Sequence, residues 1–271
     1  MNEPEIVVVA DPDAGAIEAA ARIAQGLADA AERRGRADWA TTGGSTPIGI
    51  YRRLVAPPLV DAIPWAAVHV WWGDDRFVPP DHPLSNVKPF EDIMLGVSAR
   101  EEGTAGTGSP EGIVIPAGNL HPFRNGEAIA EGHDAAWCAE ALARELRSAG
   151  LPSVDGRPTF DVLLLGVGGD GHMLSVFPGS TALDSKELAL GIPAPTHIDP
   201  KIPRVTLNPA VVGAARDVLM VVYGADKAEI LAAIFGPERA PHRWPAQLAR
   251  RAGATWILDE AAAASIKDLP R

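Results

Sequence analysis

Apolar residues in this chain fall alternately into short continuous runs and into stripes of helical period. Residues 5–10 (EIVVVA) form a run of strand length. From 13 to 34, Ile17, Ala20, Ala21, Ala24, Leu27, Ala28 and Ala31 recur at helical spacing, and Gly35 supplies a stop. Residues 38–42 (DWATT) predict a second strand that runs into Gly43-Gly44. Pro47 suits the first turn of a helix over 47–55. A third strand is predicted at 66–72 and a helix at 85–95. Glycine, proline and asparagine make 100–125 irregular, with one short strand at 113–115. A long helix is expected over 127–149, then the most apolar strand, 160–165 (FDVLLL). After a loop-rich stretch at 178–203 come strands at 205–207 and 217–223, a helix at 225–235, a strand at 254–258 and a helix at 260–265.

Strands alternating with helices predict an α/β fold: a mostly parallel, Rossmann-like sheet with helices on both faces. Neither a repeat nor a low-complexity linker interrupts the pattern, so one domain over 1–271 is expected. In such sheets ligands bind beyond the carboxyl ends of the strands, which directs attention to the segments that follow 42, 72, 165 and 223.

Composition narrows the function classes. Of the 271 residues 46% are hydrophobic and 22% charged, as in ordinary globular proteins. A net charge of −11 with no concentrated basic run argues against nucleic acid as a partner. Arg33, Arg34 and Arg36 sit at a helix end, where cations suit the dipole. No apolar run approaches 18 residues, and the acidic start MNEPEIVVVA is neither a signal peptide nor a membrane span, so a cytoplasmic protein without membrane attachment is expected. The single cysteine, Cys138, lies in an Ala-rich helical stretch and is expected to be buried. The histidines show no metal-ligand spacing and H-E-x-x-H is absent, so neither metal nor cofactor is expected.

Four segments can carry chemistry. In Thr42-Gly43-Gly44-Ser45-Thr46-Pro47, two glycines admit a ligand to the backbone. Ser45 and Thr46 add hydroxyls, and the following helix start favours an anion; the same residues equally describe a tight turn with an N-cap. In Trp72-Gly73-Asp74-Asp75-Arg76, two carboxylates adjoin an arginine able to hold a phosphate or carboxylate, or merely form a surface ion-pair loop. Residues 166–171 match G-x-G-x-x-G after a strand, but Pro178 and Gly179 cut short the helix a dinucleotide site needs. What remains there is His172 beside Asp170, a candidate general base near a carboxylate that could orient it or raise its pKa, or else a structural histidine; which of Asp74, Asp75 and Asp170 touches it is left open by the sequence. Finally, Arg204 opens a predicted strand, and Lys227 lies in the first turn of a helix, where a cation is unfavourable unless it meets a ligand.

Taken together, TTGGSTP, WWGDDRFVPPDHPLSN, FDVLLLGVGGDGHMLSVFPGS and RVTLNPAVVGAARDVLMVVYGADKA resemble the 6-phosphogluconolactonase family, over roughly residues 5 to 258. The resemblance implies a fold related to sugar-phosphate isomerases and deaminases. It also implies metal-free hydrolysis of 6-phosphoglucono-δ-lactone in the oxidative pentose phosphate pathway. Under it His172, Asp170 and Arg76 are the catalytic candidates. Gly43, Gly44, Ser45, Thr46, Asp74, Arg204 and Lys227 are the substrate-binding candidates, Arg204 and Lys227 meeting the phosphate. Asp75 stands where the family usually has glutamate, and Gly169, Met173 and Leu174 depart from its histidine motif. Deamination and isomerisation of an amino-sugar phosphate on the same fold is the rival reaction, and a non-catalytic sugar-phosphate sensor the rival class. The sequence leaves the oligomeric state open.

Overall fold

Asp11 starts the first helix by accepting a hydrogen bond from the Ala14 amide at 2.8 Å, and Pro12 follows with its backbone already set for helix. That helix, α1 (Pro12–Arg34), ends at Gly35, whose φ of 69° only glycine adopts without strain. The computed structural model of the chain describes residues 3–96 and 112–266. Its strands are β1 (Glu5–Val9), β2 (Ala37–Thr41), β3 (Val68–Trp72), β4 (Asp74–Arg76), β5 (Leu120–His121), β6 (Ser153–Val154), β7 (Arg157–Pro158), β8 (Val162–Leu165), β9 (Ala189–Ile192), β10 (Arg204–Leu207), β11 (Asp217–Val222) and β12 (Ala254–Asp259).

Seven of these form one all-parallel sheet in the order β1-β12-β11-β8-β2-β3-β5, flanked by helices. The inner strands β2 and β8 are buried along their whole length, as a sheet covered on both faces requires. From β2 the chain progresses outward to β3, whereas from β8 it progresses the other way, to β11. The crevice between the carboxyl ends of β2 and β8 is therefore the topological switch point of the sheet. A second sheet, β4-β10-β9, is antiparallel and lies beside that crevice, because β4 follows β3 after a single residue. The helix Thr46–Leu54, here α2, leaves from the same crevice.

Several sequence expectations need correction. The buried face of α1 is Ala16, Ala19, Ala20, Ile23, Ala24, Leu27 and Ala30, while Ile17 is half exposed. Small residues on that face let the helix lie close to the sheet, and the larger Ile17 is left outside. Residues 113–115 form no ladder; Ile113 and Ile115 are buried around an exposed Val114, with one backbone bond from Ile113 to Met94. The predicted helix 127–149 is two helices, Asn125–Glu131 and Ala135–Ser148, because Gly132 takes a left-handed φ of 75° and Asp134 caps the second. The helix expected from 85 begins only at Lys88, since Ser85 and Asn86 are engaged elsewhere. The loop-rich 178–203 contains β9. Residues 100–111 of the irregular 100–125 stretch lie outside the described residues.

Cys138 is buried, as expected. The basic cluster does more than suit a dipole: Arg34 pairs with the buried Asp161, and Arg36 with the buried Asp38 at 2.6 Å. Among the described residues no helix is long and apolar enough to cross a membrane.

Candidate active site

At the switch point a cavity of about 670 Å³ opens between the two sheets. Gly43, Gly44, Ser45 and Thr46 line it after β2. Asp74 and Arg76 come from β4, His172 from the turn after β8, Arg204 from β10, and Lys227 from the turn after β11. The four candidate segments, the fourth through both Arg204 and Lys227, thus converge on one volume, and of the site residues expected from sequence only Asp170 is not part of its lining.

Each wall has a local cause. Gly43 is glycine because a Cβ there would overlap the Asn86 side chain, and Gly44 because its φ is 80°. Ser45 precedes α2 without a side-chain capping bond, so its hydroxyl is not spent on the helix. The amides that begin α2 face the anion-favouring end of the helix dipole.

Strand β4 alternates: Asp74 and Arg76 line the cavity, and Asp75 between them does not. Asp75 is buried and accepts from the amides of Arg76 (2.8 Å) and Asn86 (2.6 Å) and from Ser85 Oγ (3.2 Å). Burial, reinforced by the charge of Asp74, pushes its carboxyl up to about 7 against those hydrogen bonds. Asp74 accepts from Ser175 Oγ at 2.5 Å and from Asn86 Nδ2 at 3.2 Å.

Arg76 and Arg204 are directly paired across the antiparallel β4–β10 register. Like charges opposite one another are unfavourable. Burial, and then the charge of Arg76, lowers the pKa of Arg204. Arg76 donates one bond to the Leu84 carbonyl at 2.8 Å, and its buried Nε has no partner among the described residues. Two crowded guanidiniums facing a cavity make a place for an anion.

The segment after β8 does not continue as a helix. Gly168 N–H donates to the His172 carbonyl at 2.9 Å and Gly171 N–H to Gly168 at 3.0 Å, folding the loop back on itself. Gly168 is glycine because a Cβ would fall on the imidazole of His172, whereas the Cβ position at Gly169 is open. Leu174 holds a positive φ of 53°. Met173 is wholly buried, and Leu174 lines the cavity. Asp170, and neither Asp74 nor Asp75, is the carboxylate on His172: Asp170 Oδ1 lies 2.6 Å from His172 Nδ1. Burial raises the pKa of Asp170, but hydrogen bonds from His172 and His197 outweigh it and hold the carboxyl well below the usual range. An ionised Asp170 accepts only, so Nδ1 of His172 is the donor, and in the neutral imidazole the lone pair then falls on Nε2.

The chain matches the model of the family described as glucosamine-6-phosphate isomerases/6-phosphogluconolactonase over residues 10–257. The chain belongs to this family. It is similar to a 6-phosphogluconolactonase of Streptomyces coelicolor, 34% identical over 98% of this chain and 95% of that one. A 6-phosphogluconolactonase of Mycobacterium tuberculosis is 32% identical over 94% of this chain and 96% of its own. Among solved structures, the 6-phosphogluconolactonase of Trypanosoma brucei superposes with a TM-score of 0.80 at 28% identity, covering 97% of this chain and 99% of that one. A monomeric glucosamine-6-phosphate deaminase shares the fold, with a TM-score of 0.72 at 15% identity.

The candidate site in this member of the family also includes residues that the sequence segments do not single out. Asn86 lines the cavity, holds Asp74 and receives the Trp72 indole N–H on its carbonyl at 3.1 Å. Ser175 anchors Asp74, and Asn125 reaches the Arg76 carbonyl at 3.0 Å. Tyr223 lines the cavity with a buried hydroxyl that has no partner among the described residues. His197 reaches the second oxygen of Asp170 at 2.9 Å. Asn86, Ser175 and Tyr223 stand inside the resembling segments, but the partner of Ser175 lies 101 residues off in sequence; Asn125 and His197 stand outside those segments altogether.

Proposed function

We propose that this chain hydrolyses 6-phospho-D-glucono-1,5-lactone to 6-phospho-D-gluconate, the lactone step of the oxidative pentose phosphate pathway, with His172 as general base. The observation that carries the reading is His172, held by Asp170 from outside the lining, on the wall of a cavity that Arg76, Arg204, Lys227, the 43–46 hydroxyl loop and the carboxylates of Asp74 and Asp226 also line. Membership of the family supports the substrate class.

The phosphate docks on Gly43, Gly44, Ser45 and Thr46 with Lys227 and Arg204, where helix N–H groups and cations complement its charge. Docking fixes the lactone carbonyl near His172, an advantage of proximity. Nε2 of His172 takes a proton from water as the water oxygen bonds to C1, and the carbonyl becomes an oxyanion that Arg76 stabilises. Collapse of the tetrahedral intermediate breaks the bond from C1 to the ring oxygen. The imidazolium returns its proton to that oxygen, and the acid product ionises. Asp74 and its partners Ser175 and Asn86 set the wall against which the sugar hydroxyls lie.

The test is hydrolysis of freshly generated 6-phosphogluconolactone against the spontaneous background. Wild type accelerates the reaction, and His172→Ala lowers kcat by about 10²–10⁴-fold, the usual worth of a general base. Equal rates for the two would remove His172 from the mechanism. Ammonia release from glucosamine 6-phosphate, with no lactone hydrolysis, would replace the reading by deamination.

A further inference from the structure

Asp170 offers one carboxylate oxygen to each of two histidines. Oδ1 lies 2.6 Å from Nδ1 of His172, and Oδ2 lies 2.9 Å from Nε2 of His197. The two imidazoles also flank the same phenyl ring. Phe177 is 4.8 Å from His172 between centroids, and it meets His197 edge-on at 5.6 Å and 89°. His197 comes from the connection between β9 and β10. That connection is tied to the cavity, because Arg204 donates from Nε to the Ile202 carbonyl at 3.1 Å and from Nη2 to the Pro200 carbonyl at 3.0 Å.

We propose that His197 is a positioning residue for the reaction, donating from Nε2–H to Asp170 so that the carboxylate holds a fixed orientation and shares its charge between two imidazoles. The inference rests on the reading of His172 as base. Its physical content is a competition. A carboxylate that accepts from one imidazole alone stabilises that imidazolium more than one whose charge is divided. His197 therefore takes up one oxygen of Asp170 and fixes the plane in which the other meets Nδ1 of His172.

Asp226 and Lys227 line the cavity that His172 faces. Asp74, Arg76 and Arg204 line the cavity, and Asp199 and Lys201 neighbour His197 in sequence. Arg243 stacks on Trp244, which packs over Gly171. All are left intact by substitution of His197, so the comparison isolates its contribution.

The experiment measures the pH profile of kcat/KM for wild type, His172→Ala, His197→Ala and His197→Gln. It is paired with an NMR titration of the His172 ring in wild type and the two His197 variants without substrate. The acid limb of kcat/KM reports the base of the free enzyme. In His197→Ala the acid limb and the His172 titration both move to higher pH by about half a unit. There kcat falls about tenfold, the usual cost of losing an outer orienting partner, while KM is little changed. The glutamine variant retains an N–H donor and restores both toward wild type. Unchanged titration of His172 in His197→Ala overturns the proposal. So does equal loss of activity in the alanine and glutamine variants with an unmoved acid limb, the mark of a merely structural loop residue. If His172→Ala hydrolyses the lactone as fast as wild type, the reading of His172 as base fails instead, and the NMR arm still reports whether His197 and His172 share Asp170.

Discussion

Gly168 and Gly169 are neighbours with opposite constraints. A methyl on Gly168 would land on the His172 ring, while one on Gly169 meets nothing within 4 Å. Gly168→Ala must displace either the backbone turn or the imidazole, and a displacement on the order of 1 Å at a reacting group costs about 10²-fold in rate. We expect kcat to fall by about that factor in Gly168→Ala and to stay within about twofold in Gly169→Ala, because surface substitutions without such contacts are close to neutral. Steady-state kinetics on the two variants decide it, and equal behaviour would mean that the turn does not set the position of His172. The same contrast answers a question raised by the sequence, where Gly169 departs from the family's histidine motif: its side-chain position is open, and a larger residue meets no obstacle there.

At the scale of the element, β4 shows how three residues serve two environments. Period-two alternation sends Asp74 and Arg76 to the cavity and Asp75 into the packing behind it, where Ser85, Asn86 and Asn125 converge on its carboxylate. Burial pushes Asp75 up to about 7 from an ordinary 3.8. A raised folded-state pKa means that the native chain binds the proton more tightly than the unfolded one. The contribution of Asp75 to stability is then fully present below about 4 and is lost as pH rises toward 7. Asp75→Asn removes this titration. Urea midpoints measured from pH 4 to 8 fall with pH more steeply in the wild type than in Asp75→Asn, whatever the constant offset between them. Parallel curves would show that the hydrogen bonds from Arg76, Asn86 and Ser85 keep Asp75 ionised throughout.

For the whole molecule, the two sheets meet at a cavity that brings Arg76, Arg204 and Lys227 together with the carboxylates of Asp74 and Asp226, in a chain of net charge −11. The register that sets Arg204 opposite Arg76 carries an electrostatic cost, and a ligand that brings its phosphate to Arg204 and its carboxylate to Arg76 relieves it. The product 6-phosphogluconate is expected to raise the unfolding temperature by several degrees, a stabilisation of about 2.7 kcal/mol at a concentration 100 times its Kd. Gluconate without the phosphate gives a much smaller rise. Thermal unfolding with each compound checks this, and equal shifts would place the phosphate outside the recognition site.

The alternation of strands and helices, the loops that follow 42, 72, 165 and 223, and the pairing of His172 with a nearby acid were all legible in the sequence. Their signals are local: apolar period, glycine where the backbone turns, and an anion-favouring helix start. The break in the long helix at Gly132 and Asp134 has local signals too, since both caps stand in the sequence, although helix-forming residues on either side mask them. Other facts are non-local. Asp74 depends on Ser175, and Asp170 on His197 across the β9–β10 connection. Asn86 leaves its expected helix because Asp75 and Trp72 claim its backbone. Such choices follow from which strands lie side by side. The residues themselves determined the fold class and the four segments that meet at the site. Only strand order and register decided that Arg76 would face Arg204, because pairing between distant strands brings together side chains that no local period records.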